Sequence, residues 1–480
     1  MTARKPRRKL GRKPRQPAAV PPVKPITTPT RPVGQPVFGQ PQPTADPNTF
    51  RIIHASDKAA YLKIDQLNKQ HLIFPQAFPP PRGGVEPVLT LEEVFGGNVP
   101  AVAKAAKAAI QGIKNAGQIV FHSGGDCGST RGPKTQNEVT DKMVGDFNEA
   151  VPKEIPKFCL LLGDIVYSFG ESQYYYDQFY EPYRDYPAPI LAVAGNHDGM
   201  VAPDVHTATL AAFLRNFCAE TFMVSPDAGG LSRTAQIQPG VFFTFEAPFV
   251  RILAIYSNTL EDPGVIADKK NVGDSQIKYL DAALKRVKTE GYKGALIIAD
   301  HHPPYTASGA RHGWSVDMLK QIDTACANAG VWPHAFLSGH AHNYQRLTRT
   351  RKADGSEIPY IVCGNSGHNA QSLTPHFSPQ TNMPGPTVRA PQIIQQAQGN
   401  NDQVTLENYD AFPGHFGYLR IVVTASQLRI EYHPAGDGTG VKTPDDAVTV
   451  DLKTRKLAHF NASNHGMSNQ ARAIRALRAP

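Results

Sequence analysis

The sequence predicts a mixed-sheet α/β protein, and three observations predict it. Short apolar runs of strand length alternate with helical stretches through the middle of the chain. Strands then cluster towards the end without helices between them, which argues against a pure parallel barrel. Polar residues of metal-ligating types stand directly after several of the apolar runs. A chain of 480 residues has room for roughly three domains, and its 40% hydrophobic content is ample for a sizeable core.

Residues 1–48 come first. They hold twelve of the 42 prolines and almost no aromatics, so they cannot bury enough apolar surface to offset ordering entropy and are expected to be a disordered tail. Ten of the 50 basic residues lie within residues 1–50 against one acid, Asp46. The formal net charge of +9 therefore belongs to this tail, and the remaining 430 residues balance. That excludes a globally basic nucleic-acid-binding domain as the default; an anionic partner, nucleic acid or a membrane surface, would be recruited by the tail.

Residues 49–117 form an extension expected to pack on the core. It closes with AVAKAAKAAIQGIKNAG, read as a helix from Ala101 that stops at Gly117. Strand candidates follow at Gln118–His122, Phe158–Leu162, Pro189–Ala194, Phe242–Ala247, Val250–Tyr256, Ala295–Ala299, Ala335–Leu337 and Ile358–Cys363. Ser275–Thr289 spaces Ile277, Leu280, Ala283, Leu284 and Val287 as an amphipathic helix does. Gly417–Thr424 and Gln427–His433 read as a hairpin across Ala425-Ser426. The catalytic domain is expected over 118–456, with the Pro/Gln/Asn-rich stretch 366–414 as a lid or specificity loop and 457–480 as a C-terminal tail.

Five cysteines are too few for a disulfide framework and odd in number, so they read as reduced thiols. No apolar run reaches the roughly 18–20 residues needed to span a bilayer. The charged N-terminus is not followed by an apolar segment, so no secretory signal is recognised. Location stays unassigned: cytoplasmic by default, with export open.

The chemistry lies in five polar clusters, each after an apolar run: Gly125-Asp126-Cys127-Gly128, Gly163-Asp164-Ile165-Val166-Tyr167, Gly195-Asn196-His197-Asp198, Asp300-His301-His302-Pro303-Pro304-Tyr305 and Gly339-His340-Ala341-His342-Asn343-Tyr344. Carboxylate, amide, imidazole and phenol are ligands for hard or borderline metals. Ligands placed past strand ends converge on one edge of a sheet. Each cluster alone is more simply a turn or a helix cap; together, in this order, they point to a metal centre.

The clusters resemble the calcineurin-like metallophosphoesterase superfamily, whose pattern runs Asp-x-His, Gly-Asp, Gly-Asn-His-Asp/Glu, His, Gly-His-x-His. Gly128 stands where that pattern has a histidine, and Tyr167 lies three residues after Asp164. The exchange is similar to the purple acid phosphatase branch, as are His301-x-Pro303-x-Tyr305 and Gly339-His340-x-His342-x-Tyr344-x-Arg346. The resemblance covers roughly residues 118–435 and implies a four-layer α/β/β/α sandwich of two mixed sheets, of the small single-domain type. It also implies one metal on Asp126, Asp164, Tyr167 and His342, and a second on Asp164, Asn196, His301 and His340. The ions implied are Fe(III) with Fe(II), Zn or Mn. His197 would bind the phosphate or protonate the leaving oxygen, with Asp198 orienting its ring, while His302 would line the pocket wall or act as a second proton donor. The expected activity is hydrolysis of a small phosphate monoester by in-line attack of a metal-bound hydroxide. A phosphodiesterase on the same metals is the alternative, and a non-catalytic binding protein working through its basic tail is the second. His312 and His368 lie in loops near the motifs, in reach of substrate or on the surface without a role.

Overall fold

The computed structural model describes residues 34–39, 50–70, 72–201, 207–308, 312–373, 392–393, 402–435 and 444–458. The tail expectations for 1–33 and 459–480, including any anionic partner of the N-terminus, fall outside the described residues.

Sixteen strands are described: β1 (Val88–Thr90), β2 (Gln118–Gly124), β3 (Cys159–Leu162), β4 (Ile190–Val193), β5 (Phe243–Ala247), β6 (Val250–Ala254), β7 (Ala295–Ala299), β8 (Ala335–Ser338), β9 (Tyr344–Thr350), β10 (Glu357–Cys363), β11 (Gln392–Ile393), β12 (Gln403–Asp410), β13 (Phe416–Thr424), β14 (Gln427–Ala435), β15 (Asp446–Asp451) and β16 (Leu457–Ala458). They form a nine-stranded sheet, β1-β5-β6-β7-β8-β10-β9-β12-β11, and a seven-stranded sheet, β16-β15-β14-β13-β2-β3-β4. Both are mixed. β2, β3 and β4 run parallel in the second, and β6, β7 and β8 run parallel in the first.

Strand alternation explains the layering. Leu160, Leu162, Leu191 and Val193 of one sheet meet Ala295, Ile297 and Ala299 of the other in a single core between the sheets. The opposite faces, Cys159, Leu161, Ile190, Leu296 and Ile298, are equally buried, but under helices. Strands covered on both sides read as continuous apolar runs, which is why they were visible in the sequence. Ser275–Thr289 lays Tyr279, Leu280, Ala283 and Leu284 into the outer layer of the nine-stranded sheet, and Lys134–Gly145 contributes Val139 and Met143 over the seven-stranded one. The result is the expected α/β/β/α sandwich.

Two expectations change. The helix read from Ala101 begins at Ala103 and ends on Gly117 at φ 72°. The stretch 366–414 is not one loop: Gln403–Asp410 is a full strand paired with β9, across a bulge between Leu406 and Asn408. Its alternation of polar and apolar residues, broken by the bulge, had hidden it although most of it is buried. Residues 374–391 and 394–401 lie outside the described residues. The five cysteines are free and buried. Within 49–117, α1 (Ala55–Lys69) is a helix that packs Ile64 with Phe169 and Met200. Among the described residues no helix is long and apolar enough to cross a membrane.

Candidate metal centre

Every polar cluster follows the C-terminal end of a strand. Asp126, Asp164 and Asn196 come after β2, β3 and β4 of one sheet; His301, His340 and His342 come after β7 and β8 of the other. Parallel neighbours bring these ends to one edge, so residues far apart in sequence converge there. Single ligand atoms of Asp126, Asp164 and His301 lie within 4.8 Å of one another, and all three residues are buried.

The contacts fall into two groups. In the first, Asp126 Oδ1 accepts from the Tyr167 hydroxyl at 3.0 Å and lies 3.3 Å from His342 Nε2, with Tyr167 and His342 3.5 Å apart. In the second, His301 Nε2 lies 2.9 Å from Asn196 Oδ1, 3.2 Å from His340 Nδ1 and 3.4 Å from Asp164 Oδ2. The Nδ2 of Asn196 is buried without a hydrogen-bond partner. The turns that carry the ligands are forced: Asp126, Asp164 and His340 hold φ of 56°, 54° and 66°, the left-handed region that side-chain-bearing residues avoid. A cost on the order of 1 kcal/mol for each is retained where geometry matters more than stability.

Gly128 and Tyr167 belong together. A Cβ at 128 would stand 2.5 Å from the Ile165 carbonyl oxygen and 2.6 Å from Gln178 Oε1. That amide clamps the tyrosine backbone, accepting from Tyr167 N at 3.0 Å and donating to Tyr167 O at 2.9 Å. The missing side chain at 128 thus makes room for the clamp that fixes the phenol.

Charge shows what the site would accept. Burial, reinforced by Asp164, raises Asp126 to about 8. Burial would raise Asp164 too, but the adjoining His301 and His197 outweigh it and hold it ionised. His301 is driven the other way: burial opposes its charge, yet Asp164 and Asp126 raise it to about 10. One imidazolium therefore sits beside two buried carboxyl groups, of which Asp164 is held ionised, where a metal cation would serve better. His340 is kept neutral by burial and by the surrounding imidazoles of His302, His312 and His301, the form in which imidazole binds metals. Burial and the two carboxylates push the Tyr167 phenol well above its ordinary value. Oxygen-rich, partly anionic and buried, the donor set fits hard or borderline metal ions.

Two expected roles are corrected. Asp198 does not orient His197. It accepts from the backbone N–H groups of Gly195, Ile165 and Val166 at 2.8, 3.0 and 3.3 Å, because successive residues of a helical turn point apart. The His197 ring is set instead by the Ser168 carbonyl, 2.7 Å from Nδ1. His302 is no proton donor to the pocket: Nδ1 pairs with Ser257 Oγ at 2.7 Å and Nε2 donates to the Leu260 carbonyl at 2.7 Å. Its ring packs against His340 at 4.1 Å. Tyr344 and Arg346 turn away from the centre and bind Asp446, at 2.6 and 2.7 Å. His312 and His368 both line the site, His312 buried and His368 half-buried; His312 lies 3.4 Å from His340, and His368 stacks on Tyr167 at 3.6 Å.

A further segment, Ser257–Asp262, had no place in the sequence reading. Asp262 Oδ1 lies 3.6 Å from His340 Nε2, and Glu261 Oε1 lies 3.8 Å from His197 Nε2. The signal was the same as for the other five clusters, polar residues directly after an apolar strand. Above the donors is a cavity of about 400 Å³ lined by His197, His312, His342, His368, Tyr61 and Lys58 among others.

Residues 125–344 match the family model for calcineurin-like phosphoesterases. The chain carries a calcineurin-like phosphoesterase domain. Its strands β3 to β8 and all seven candidate donor residues fall inside the matched segment. Among solved structures the chain is similar to a purple acid phosphatase from yellow lupin (Lupinus luteus) seeds, at 16% identity and a TM-score of 0.44, covering 70% of this chain and 54% of that one. It is also similar to PhoD, at 10% identity and a TM-score of 0.40, covering 75% of this chain and 78% of that one. The chain thus spans about half the length of the lupin enzyme. No curated protein matches it in sequence.

Proposed function

We propose that this phosphoesterase domain hydrolyses small phosphate monoesters at a dinuclear metal centre. The observation that carries the reading is the convergence of Asp126, Asp164, Tyr167, Asn196, His301, His340 and His342, of which Tyr167 and His342 line a cavity that His197 also lines. Asp126, Asp164, Tyr167 and His342 would hold one ion; Asp164, Asn196, His301 and His340 would hold the other, with Asp164 shared. When bound, such ions polarise phosphoryl oxygens and lower the pKa of a coordinated water.

The chain's own groups do the rest. His197, with Nδ1 committed to the Ser168 carbonyl, presents Nε2 to the cavity, so its proton is available to the leaving oxygen. Burial opposes charge on the His197 ring, but Asp164 and Glu261 outweigh it and favour the charged form. Lys58 at the pocket wall attracts an anionic substrate. The cavity volume suits a small ester rather than a polymer strand. Loss of the Tyr167 proton, which burial and the two carboxylates oppose, calls for an ion of high charge; Fe(III) beside Fe(II), Zn or Mn meets that need.

The test is hydrolysis of p-nitrophenyl phosphate and bis-(p-nitrophenyl) phosphate by protein reconstituted with iron and zinc or manganese. A monoester rate well above the diester rate supports the proposal. The reverse makes the protein a phosphodiesterase, and no turnover with metals bound refutes both. A visible tyrosinate-to-iron absorption band, lost in Tyr167→Phe, checks the iron assignment without reference to rate.

A further inference from the structure

The segment before the family-matched region reaches the active site. α1 is anchored before and after its span: the backbone N–H of His54 donates to the Tyr174 hydroxyl at 3.0 Å, and that hydroxyl donates to Asp57 at 2.6 Å. Arg51 pairs with the buried Asp177 at 2.8 Å. Beyond the helix, Gln76 and Asn258 exchange two hydrogen bonds, at 2.7 and 2.9 Å. Asn258 opens the same loop that carries Glu261. One side chain of α1 goes further than packing. The Tyr61 hydroxyl donates to Glu261 Oε1 at 2.6 Å, and that oxygen lies 3.8 Å from His197 Nε2. The Tyr61 ring also lies against His197, centroids 5.3 Å apart, while Tyr167 contacts the same imidazole at 4.3 Å.

We infer that Tyr61 and Glu261 are positioning residues for His197, which makes α1 a working part of the active site. The inference rests on the proposed hydrolysis for its kinetic consequence. Ser168 fixes one ring nitrogen of His197; Tyr61 and Tyr167 limit the tilt of the ring; and Glu261, held by Tyr61, faces the other nitrogen. As the P–O bond breaks, its electron pair stays on the ester oxygen, and the Nε2 proton passes to that oxygen. Placement of Nε2 therefore matters most when the departing oxygen is strongly basic.

The experiment compares wild type, Tyr61→Phe and Glu261→Gln, each alone and combined with His197→Ala, with bound metal measured throughout. Substrates are p-nitrophenyl phosphate, whose leaving group needs little protonation, and an alkyl phosphate, whose leaving group needs it. The expected result is a fall in kcat of about tenfold on the alkyl ester, a fall within about threefold on the nitrophenyl ester, and no further loss in the His197→Ala background. Equal losses on both esters, losses that add to that of His197→Ala, or no loss at all overturn the inference. The His197 imidazole resonances, followed by NMR in wild type and Tyr61→Phe, give a reading independent of turnover. An altered or broadened ring signal supports positioning and an unchanged one overturns it, even where wild type hydrolyses neither ester and the proposed function itself has failed.

Discussion

The two sheets bring different chemistry to the shared edge. Of the seven candidate ligands, those that follow strands of the seven-stranded sheet are the oxygen donors Asp126, Asp164, Tyr167 and Asn196; those that follow strands of the nine-stranded sheet are the imidazoles His301, His340 and His342. The first side is anionic and buried, with Asp126 raised and Asp164 held ionised. The second is mainly neutral, His340 being kept so by burial and neighbouring rings, with His301 charged only because it leans on both carboxylates. Neither side alone offers an ion both charge and a full set of donors. The proposed centre depends on the sandwich core holding the two edges together.

That comparison is broken most severely at Asp164, which touches both groups. Asp164→Asn is expected to lower hydrolysis on the order of a thousandfold or more, with both metals depleted by elemental analysis. Retained metal and rate would show that the halves are not joined there. His340→Ala strikes only the imidazole side; an expected loss of about a hundredfold should come with one metal equivalent missing and the other kept. A milder break is Asp262→Asn, which removes the carboxylate 3.6 Å behind His340 Nε2 and should weaken metal binding about tenfold, read by chelator competition.

The smallest effect sharpens the contrast by lying away from the centre. Glu431 on β14 is bound by His433 at 3.1 Å and by Arg429 at 2.5 Å. Burial alone would raise its pKa, but those bonds hold it down at about 2, against an ordinary 4.5. A depressed carboxylate stabilises the fold fully above pH 4.5 and loses that contribution as pH falls towards 2. Glu431→Gln should therefore cost about 3 kcal/mol at neutral pH, with the gap to wild type closing across that acidic window in urea titrations, and with hydrolysis unchanged.

Legibility in the sequence followed apolar composition rather than burial alone. β3, β4 and β7 are covered on both faces and stood out as apolar runs, whereas β12 and β9 alternate and carry charged or polar residues such as Arg346, Arg349 and Asn408. The donors were readable because each stands within a few residues of such a run. His302 and Asp198 were misread because sequence adjacency to a ligand says nothing of ring direction. Glu261 and Asp262 were missed although they follow β6 as the other clusters follow their strands. Tyr61 had no signal at all: its role depends on where α1 docks, and the polar pattern of that helix does not reveal this.

The left-handed backbone at Asp126, Asp164 and His340 carries a consequence for anyone evolving this protein. Glycine or asparagine at those positions would relax the chain, and at Asp126 or Asp164 would also remove the repulsion between the two buried carboxyl groups. A screen that rewarded heat resistance alone would therefore drift towards a sturdier protein with no metal centre. Only a screen that also demanded turnover would keep the costly turns.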